Sequence, residues 1–69
     1  MEYVVVKFSE ERDVYVDDQR NGKTNEMLRV SAGLHTFTLG DPQNYSPSQI
    51  DQNIVDTNVL EPAEIEFTV

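Results

Sequence analysis

The chain has 69 residues, no cysteine, one histidine and a formal net charge of −8. A single domain of this size buries only about 60% of its unfolded surface, and without cysteine it has neither disulfides nor thiolate zinc clusters to reinforce it. All five basic residues lie at or before Arg29, while Asp41, Asp51, Asp56, Glu61, Glu64 and Glu66 follow with no Lys or Arg among them, so nucleic acid and anionic membrane surfaces are disfavoured as partners.

The chain opens without a targeting pattern. Glu2 follows Met1, and the apolar run Tyr3–Val6 is too short for a signal-peptide core. No window approaches the roughly 20 apolar residues of a membrane span. A cytoplasmic location is the default expectation, and it lapses if the sequence is a piece of a larger envelope protein.

Tyr3–Phe8 is rich in β-branched and aromatic residues and reads as a strand. Val4, Val6 and Phe8 share one face and Tyr3, Val5 and Lys7 the other, and apolar residues on both faces at its start suggest cover on both sides for part of its length. Ser9–Asp13 is polar, with no helical periodicity after it, and reads as loop. Asp13–Asp17 alternates, with Val14 and Val16 inward. Asp18–Thr24 has turn chemistry, and the tight turn falls at Asp18-Gln19 or at Asn21-Gly22, the dipeptide that best accepts a type I′ turn.

Glu26–Val30 alternates again, with Leu28 and Val30 on one face. Ser31-Ala32-Gly33 turns the chain. In the following strand His35, Phe37 and Leu39 share a face, and the large apolar pair points His35 inward near the strand's start. Gly40–Ser48 is a non-hydrophobic connection with two prolines.

Gln49–Thr57 is ambiguous. Ser46-Pro47-Ser48-Gln49 fits a helix start, giving one short helical turn near residues 46–56. The weak helix formers that follow favour a short strand. At the end Glu64–Val69 alternates, with Ile65, Phe67 and Val69 inward. The expected fold is all-β: a small antiparallel β-sandwich of five to six strands in a single domain spanning residues 1–69.

Candidate chemistry is sparse. Asp17 and Asp18 are neighbours, so on a strand they point to opposite faces and form no acid–base dyad. A calcium site needs six to eight oxygens from closely spaced acids, and no Asp-x-Asp-x-Asp-Gly run is present. Asp41, Asp51 and Asp56 could supply oxygens only if the fold brought them together. His35, on a strand with apolar neighbours, fits a packed, hydrogen-bonded role better than that of a catalytic base. The three glycines are isolated turn residues and cradle no phosphate. Asn44-Tyr45-Ser46 matches the N-glycosylation pattern, which matters only in a secreted eukaryotic chain. Tyr3, Tyr15 and Tyr45 are the remaining recognition candidates, with cross-strand packing favoured for Tyr15.

The stretch Val14–Leu39 resembles the PEGA domain, a small all-β module found mainly in bacterial and archaeal proteins. Val16-Asp17, Gly22-Lys23-Thr24, Leu28, Val30, Gly33, His35, Phe37 and Leu39 stand where that family has a Val-Asp pair, a Gly-x-Thr turn, an apolar strand and a Gly-x-His strand. Tyr45, Pro47, Thr57, Pro62 and Ile65-x-Phe67 are similar to the ends of such modules, so the resemblance covers roughly residues 8–69. Asp18 replaces a common Gly, and Asn25 replaces the usual Pro. Most of the matching positions are turn and core residues, so the resemblance implies a fold and, from the family's usual settings, a structural or interaction role.

The functional expectation is therefore a non-enzymatic β-sandwich module with no cofactor, no metal and no catalytic residue. It would act through an unknown protein partner or by self-association at a strand edge. The alternative is a small-ligand or divalent-cation-binding module using Asp41, Asp51 and Asp56 of the acidic C-terminal half.

Overall fold

In the computed structural model, which describes residues 1–69, seven strands form two facing sheets and there is no helix. The strands are β1 (Glu2–Lys7), β2 (Asp13–Val16), β3 (Gln19–Lys23), β4 (Met27–Val30), β5 (Gly33–Thr38), β6 (Ile50–Ile54) and β7 (Ala63–Glu66). One sheet runs in the order β4-β1-β7 and the other β3-β2-β5-β6. No helix is long and apolar enough to cross a membrane.

The period-2 alternation sets which faces meet. Val4 and Val6 of β1 point inward beside Leu28, Ala63 and Ile65 of the flanking strands. Val14, Val16, Phe37 and Ile54 line the opposing sheet, and Phe8, Leu39, Tyr45 and Phe67 fill the space between them from loops and strand ends. Burying a side chain such as Phe37 contributes about 1.5–3 kcal/mol. That is a large share of what so small a domain can hold.

Four expectations are corrected. The strand count is seven, against the expected five to six, because Gln19–Lys23 is a strand and not part of a turn. The hairpin turn sits at Asp17-Asp18, one residue before the first proposed place and four before the second. Val16 pairs with Gln19, and Asp17 and Asp18 between them take φ of 52° and 68°. Short polar side chains tolerate that left-handed region, so the two aspartates make the type I′ turn that Asn-Gly was expected to make.

The sandwich is not wholly antiparallel either, since β7 lies parallel to β1. The chain leaves β6 in one sheet and crosses over to the free side of β1 in the other. Lastly, Val69 is exposed and not inward, because the alternation ends in the core at Phe67. Residues 50–54 form the short strand, so the helical alternative is not adopted.

Asn21-Gly22 has a different task. Val14 pairs with Gly22 and Tyr15 with Arg20, so Asn21 is an extra, unpaired residue in β3: a β-bulge. The bulge turns the Asn21 side chain across the side of the sandwich, where its Nδ2 donates to the Arg29 carbonyl of β4 at 3.2 Å. Gly22 has φ 152°, and a β-carbon there would lie 2.5 Å from Leu28 Cδ2. The edges of β3 and β4 thereby close on each other.

Candidate functional site

Three polar assemblies stand out from the apolar scaffold. The first surrounds His35. Its ring lies on the inner face as expected, edge-on to Phe37 with centroids 6.3 Å apart. Asp17, at the hairpin turn, places Oδ2 2.6 Å from His35 Nδ1 and accepts the Thr36 N–H on Oδ1 at 3.0 Å. On the other side His35 Nε2 meets the Ser31 carbonyl at 2.7 Å and Ser31 Oγ at 3.4 Å.

Ser31, His35 and Asp17 thus have the composition and order of a Ser-His-Asp relay, but not its proton arrangement. A general base needs a lone pair at Nε2 facing the serine hydroxyl. Here Nε2 faces a carbonyl, which only accepts, so it carries a proton. Nδ1 faces a carboxylate, so it carries one too. Both interactions are satisfied together by an imidazolium. Accordingly the hydrogen bond to Asp17, then that to Ser31, raises the His35 pKa above its ordinary value. The backbone bond from Thr36 and the bond to His35 lower that of Asp17. The trio is a charged clamp between the β2–β3 turn and the start of β5.

Beside this clamp, at the β3–β4 side, a cleft of about 270 Å³ opens. Val16 and Val30 form part of its wall, with Arg20, Asn21, Arg29, Ser31 and His35 around them. Arg20, Arg29 and His35 are the basic residues around it and Asp17 the one acid, with Arg29 presenting its backbone carbonyl to Asn21 and Arg20 paired with Asp13.

The second assembly is centred on Arg12. Its guanidinium donates to the Pro42 carbonyl and Asn44 Oδ1, both at 2.8 Å, with the Leu39 and Gly40 carbonyls at 3.4 Å. It also lies 5.4 Å from the centroid of the Tyr45 ring. Tyr45 is buried and donates its hydroxyl to the Gly40 carbonyl at 2.9 Å. The long 40–48 connection is therefore tied to the core, and Tyr45 is a packing residue rather than a recognition one. Tyr15 is half-buried against Gly40, whose absent β-carbon would stand 2.7 Å from the ring. Tyr3 is half-buried on the outer face of β1.

The third assembly joins β3 to β4. Thr24 Oγ1 accepts from Arg12 N at 2.9 Å and donates to the Glu10 carbonyl at 2.8 Å. Asn25, at φ 64°, uses its side-chain amide as a backbone would: Oδ1 accepts from Phe8 N at 3.2 Å and Nδ2 donates to Phe8 O at 3.0 Å. Proline, fixed near φ −65°, could not stand at this position.

The acids proposed for a cation are not brought together. Asp51 accepts from the Thr36 hydroxyl at 2.7 Å on the outer face of the four-stranded sheet. Asp56 sits at a positive-φ position after β6, and Asp41 in the connection before it. No group of three or more His, Asp or Glu side chains is arranged to hold a metal ion.

Sequence reasoning gave His35 its direction and its packed character. It did not anticipate the Asp17 and Ser31 partners, nor the bond from Asn21 to the Arg29 carbonyl, which depends on the bulge. The only local signal was Asn21-Gly22, and that reads as a turn. Comparison with protein-family models, with curated proteins and with solved structures gives no match to this chain.

Proposed function

We propose that this is a non-enzymatic interaction module that captures an extended segment of another protein along the outer edge of β6. The state of the four sheet edges carries this reading. The β3 and β4 edges are joined through Asn21 and Arg29, and the chain beyond β7 is bridged to residue 46 through Ser46 and Thr68. β6, five residues long, has β5 on one side and no strand on the other. An edge of that kind offers backbone donors and acceptors to an added strand. The similarity of Val14–Leu39 to the PEGA domain supports the same kind of role.

Self-association is the weaker form of the proposal. Two copies of β6 would bring together two chains of net charge −8, and that mutual repulsion opposes association. A partner strand bearing Lys or Arg suits the edge better. An enzymatic reading is disfavoured because the only imidazole commits Nε2 to the Ser31 carbonyl.

Amide hydrogen exchange on the domain after capture of a partner tests the proposal. Alternate amides of Ile50–Ile54 face away from β5 and should exchange fast in the free domain, then slow on binding. Protection appearing elsewhere, with these amides still fast, would refute it.

A further inference from the structure

We infer that Asn21 is a site of spontaneous covalent modification: its side-chain amide deamidates through a cyclic imide formed with Gly22, and the product unlocks the β3–β4 side of the sandwich. Of the five asparagines, Asn21 alone precedes glycine, and the others precede Glu26, Tyr45, Ile54 and Val59. Ring closure brings the backbone nitrogen of the following residue onto the side-chain carbonyl carbon, and a side chain on that residue crowds the approach. Glycine has none and turns freely. Three of the other asparagines are also held through their side-chain carbonyl: Asn25 by Phe8 N, Asn44 by the Arg12 guanidinium, and Asn58 by Leu60 N and Glu61 N. The Asn21 side chain is exposed and held only at Nδ2, by the Arg29 carbonyl at 3.2 Å.

Its place in the fold allows the step. Asn21 is the unpaired residue of the bulge and Gly22 stands opposite Val14, so the ring closes when this part of β3 lifts from β2. Gln19–Lys23 lies at the edge of its sheet and has no apolar residue to anchor it, which gives it low local stability. The Gly22 backbone nitrogen gives up its proton and attacks Asn21 Cγ. The Cγ–Nδ2 bond breaks, and ammonia leaves with that proton. Water then opens the imide: attack at Cγ yields aspartate, and attack at the Asn21 main-chain carbonyl carbon yields isoaspartate, whose backbone runs through Cβ and Cγ. One amide and one water have become one carboxylate and one ammonium ion.

Either product replaces the donor at the Arg29 carbonyl by a carboxylate, which only accepts. Two oxygens then face each other where a bond joined the two sheets. Isoaspartate also lengthens the backbone by one carbon next to Gly22, which packs so closely that a β-carbon there would lie 2.5 Å from Leu28 Cδ2. The β3 and β4 edges, held together by the Asn21 bond, are thereby released. Loss of ammonia is irreversible, so the seam opens once and stays open. The chemistry belongs to the bulge and is independent of strand capture at β6.

Ageing of the whole chain in mildly alkaline buffer, followed by peptide mapping with mass spectrometry, tests this. The expected result is the mass gain of an amide-to-acid exchange in the peptide holding Asn21, as a mixture of aspartate and isoaspartate, before any gain at the other four asparagines. Urea should accelerate it, because the ring then closes without waiting for β3 to lift. N21D isolates the consequence, and its unchanged spectral dispersion would show that it folds. Its β3 amides should exchange about tenfold faster than those of the unaltered chain, the loss of one hydrogen bond, while those of β1 should not change. No mass gain at Asn21, an equal gain at the other asparagines, an unchanged rate in urea, or unaltered β3 exchange in N21D overturns the inference.

Discussion

Gly22 offers the sharpest test of how the sandwich is packed. In G22A the new methyl would begin 2.5 Å from Leu28 Cδ2, and alanine would have to hold φ 152°. Leu28 is buried opposite Val4 of β1, so it has little room to withdraw. Overpacking of this kind costs about 1–3 kcal/mol, and the backbone strain adds about 1–3 kcal/mol. Gly33 separates the two effects, because its φ of 126° is also strained but nothing lies within 4 Å of its absent β-carbon.

G33A should therefore show the strain alone, and G22A the strain plus the collision. With about 3–5 kcal/mol of stability available to a single small core, G22A should be close to unfolding at room temperature. Urea titration followed by circular dichroism measures both variants on one scale. If G22A and G33A fall within about 0.5 kcal/mol of each other, a difference no larger than that of an ordinary surface substitution, the β3–β4 side is not closed by Gly22 on Leu28.

Stability should depend on pH in a window set by His35, Asp17 and Glu2. The raised His35 pKa contributes stability that is complete below 6.5 and is lost as pH rises through the folded value. Asp17, and Glu2 through its bonds from Thr57, have lowered pKa values. Their contributions are present above 3.8 and 4.5 respectively and are lost as pH falls through the folded values. Urea midpoints should therefore be highest between about pH 4.5 and 6.5, near the carboxylate and histidine reference values. An alkaline decline of the same size in H35Q would contradict the assignment.

T24V keeps the shape of a side chain that is 2% exposed but leaves Arg12 N and the Glu10 carbonyl without their partner. A loss of about 1–3 kcal/mol is expected by thermal melting, and T24S should recover most of it. In R12K the ammonium cannot span the acceptors the guanidinium serves. Amides of residues 40–45 should then exchange faster while those of β1 do not, and uniform acceleration would argue against a local role.

The inward and outward faces were legible wherever a strand has one buried side, because β-branched and aromatic residues at every second position admit few other solutions. Val4-x-Val6, Val14-x-Val16, Leu28-x-Val30 and Phe37-x-Leu39 are of this kind. β3 was illegible for the converse reason. Gln19-Arg20-Asn21-Gly22-Lys23 has no apolar residue at all, and it is a strand only because β2 and the Asp17-Asp18 turn impose its register.

The direction of β7 could not be read either, since alternation is the same in parallel and antiparallel pairs. At the candidate site, the inward placement of His35 followed from its neighbours Phe37 and Leu39. Its charge state depends on where a turn places Asp17 and where the carbonyl of Ser31 points. Both are properties of the folded backbone.

The parallel pairing of β1 and β7 has a mechanical consequence. The first and last strands run side by side in the same direction, from Val4 opposite Ala63 to Lys7 opposite Glu66. Tension applied through residues 1 and 69 therefore slides one strand along the other and loads the rungs between them together. The β2–β3 hairpin, pulled open from its free ends, would instead give way one rung at a time. In single-molecule stretching the domain should yield at a markedly higher force when held at residues 1 and 69 than at Asp13 and Lys23. Equal forces would show that the terminal pair bears no such load. A domain with this geometry resists being drawn out along its own chain.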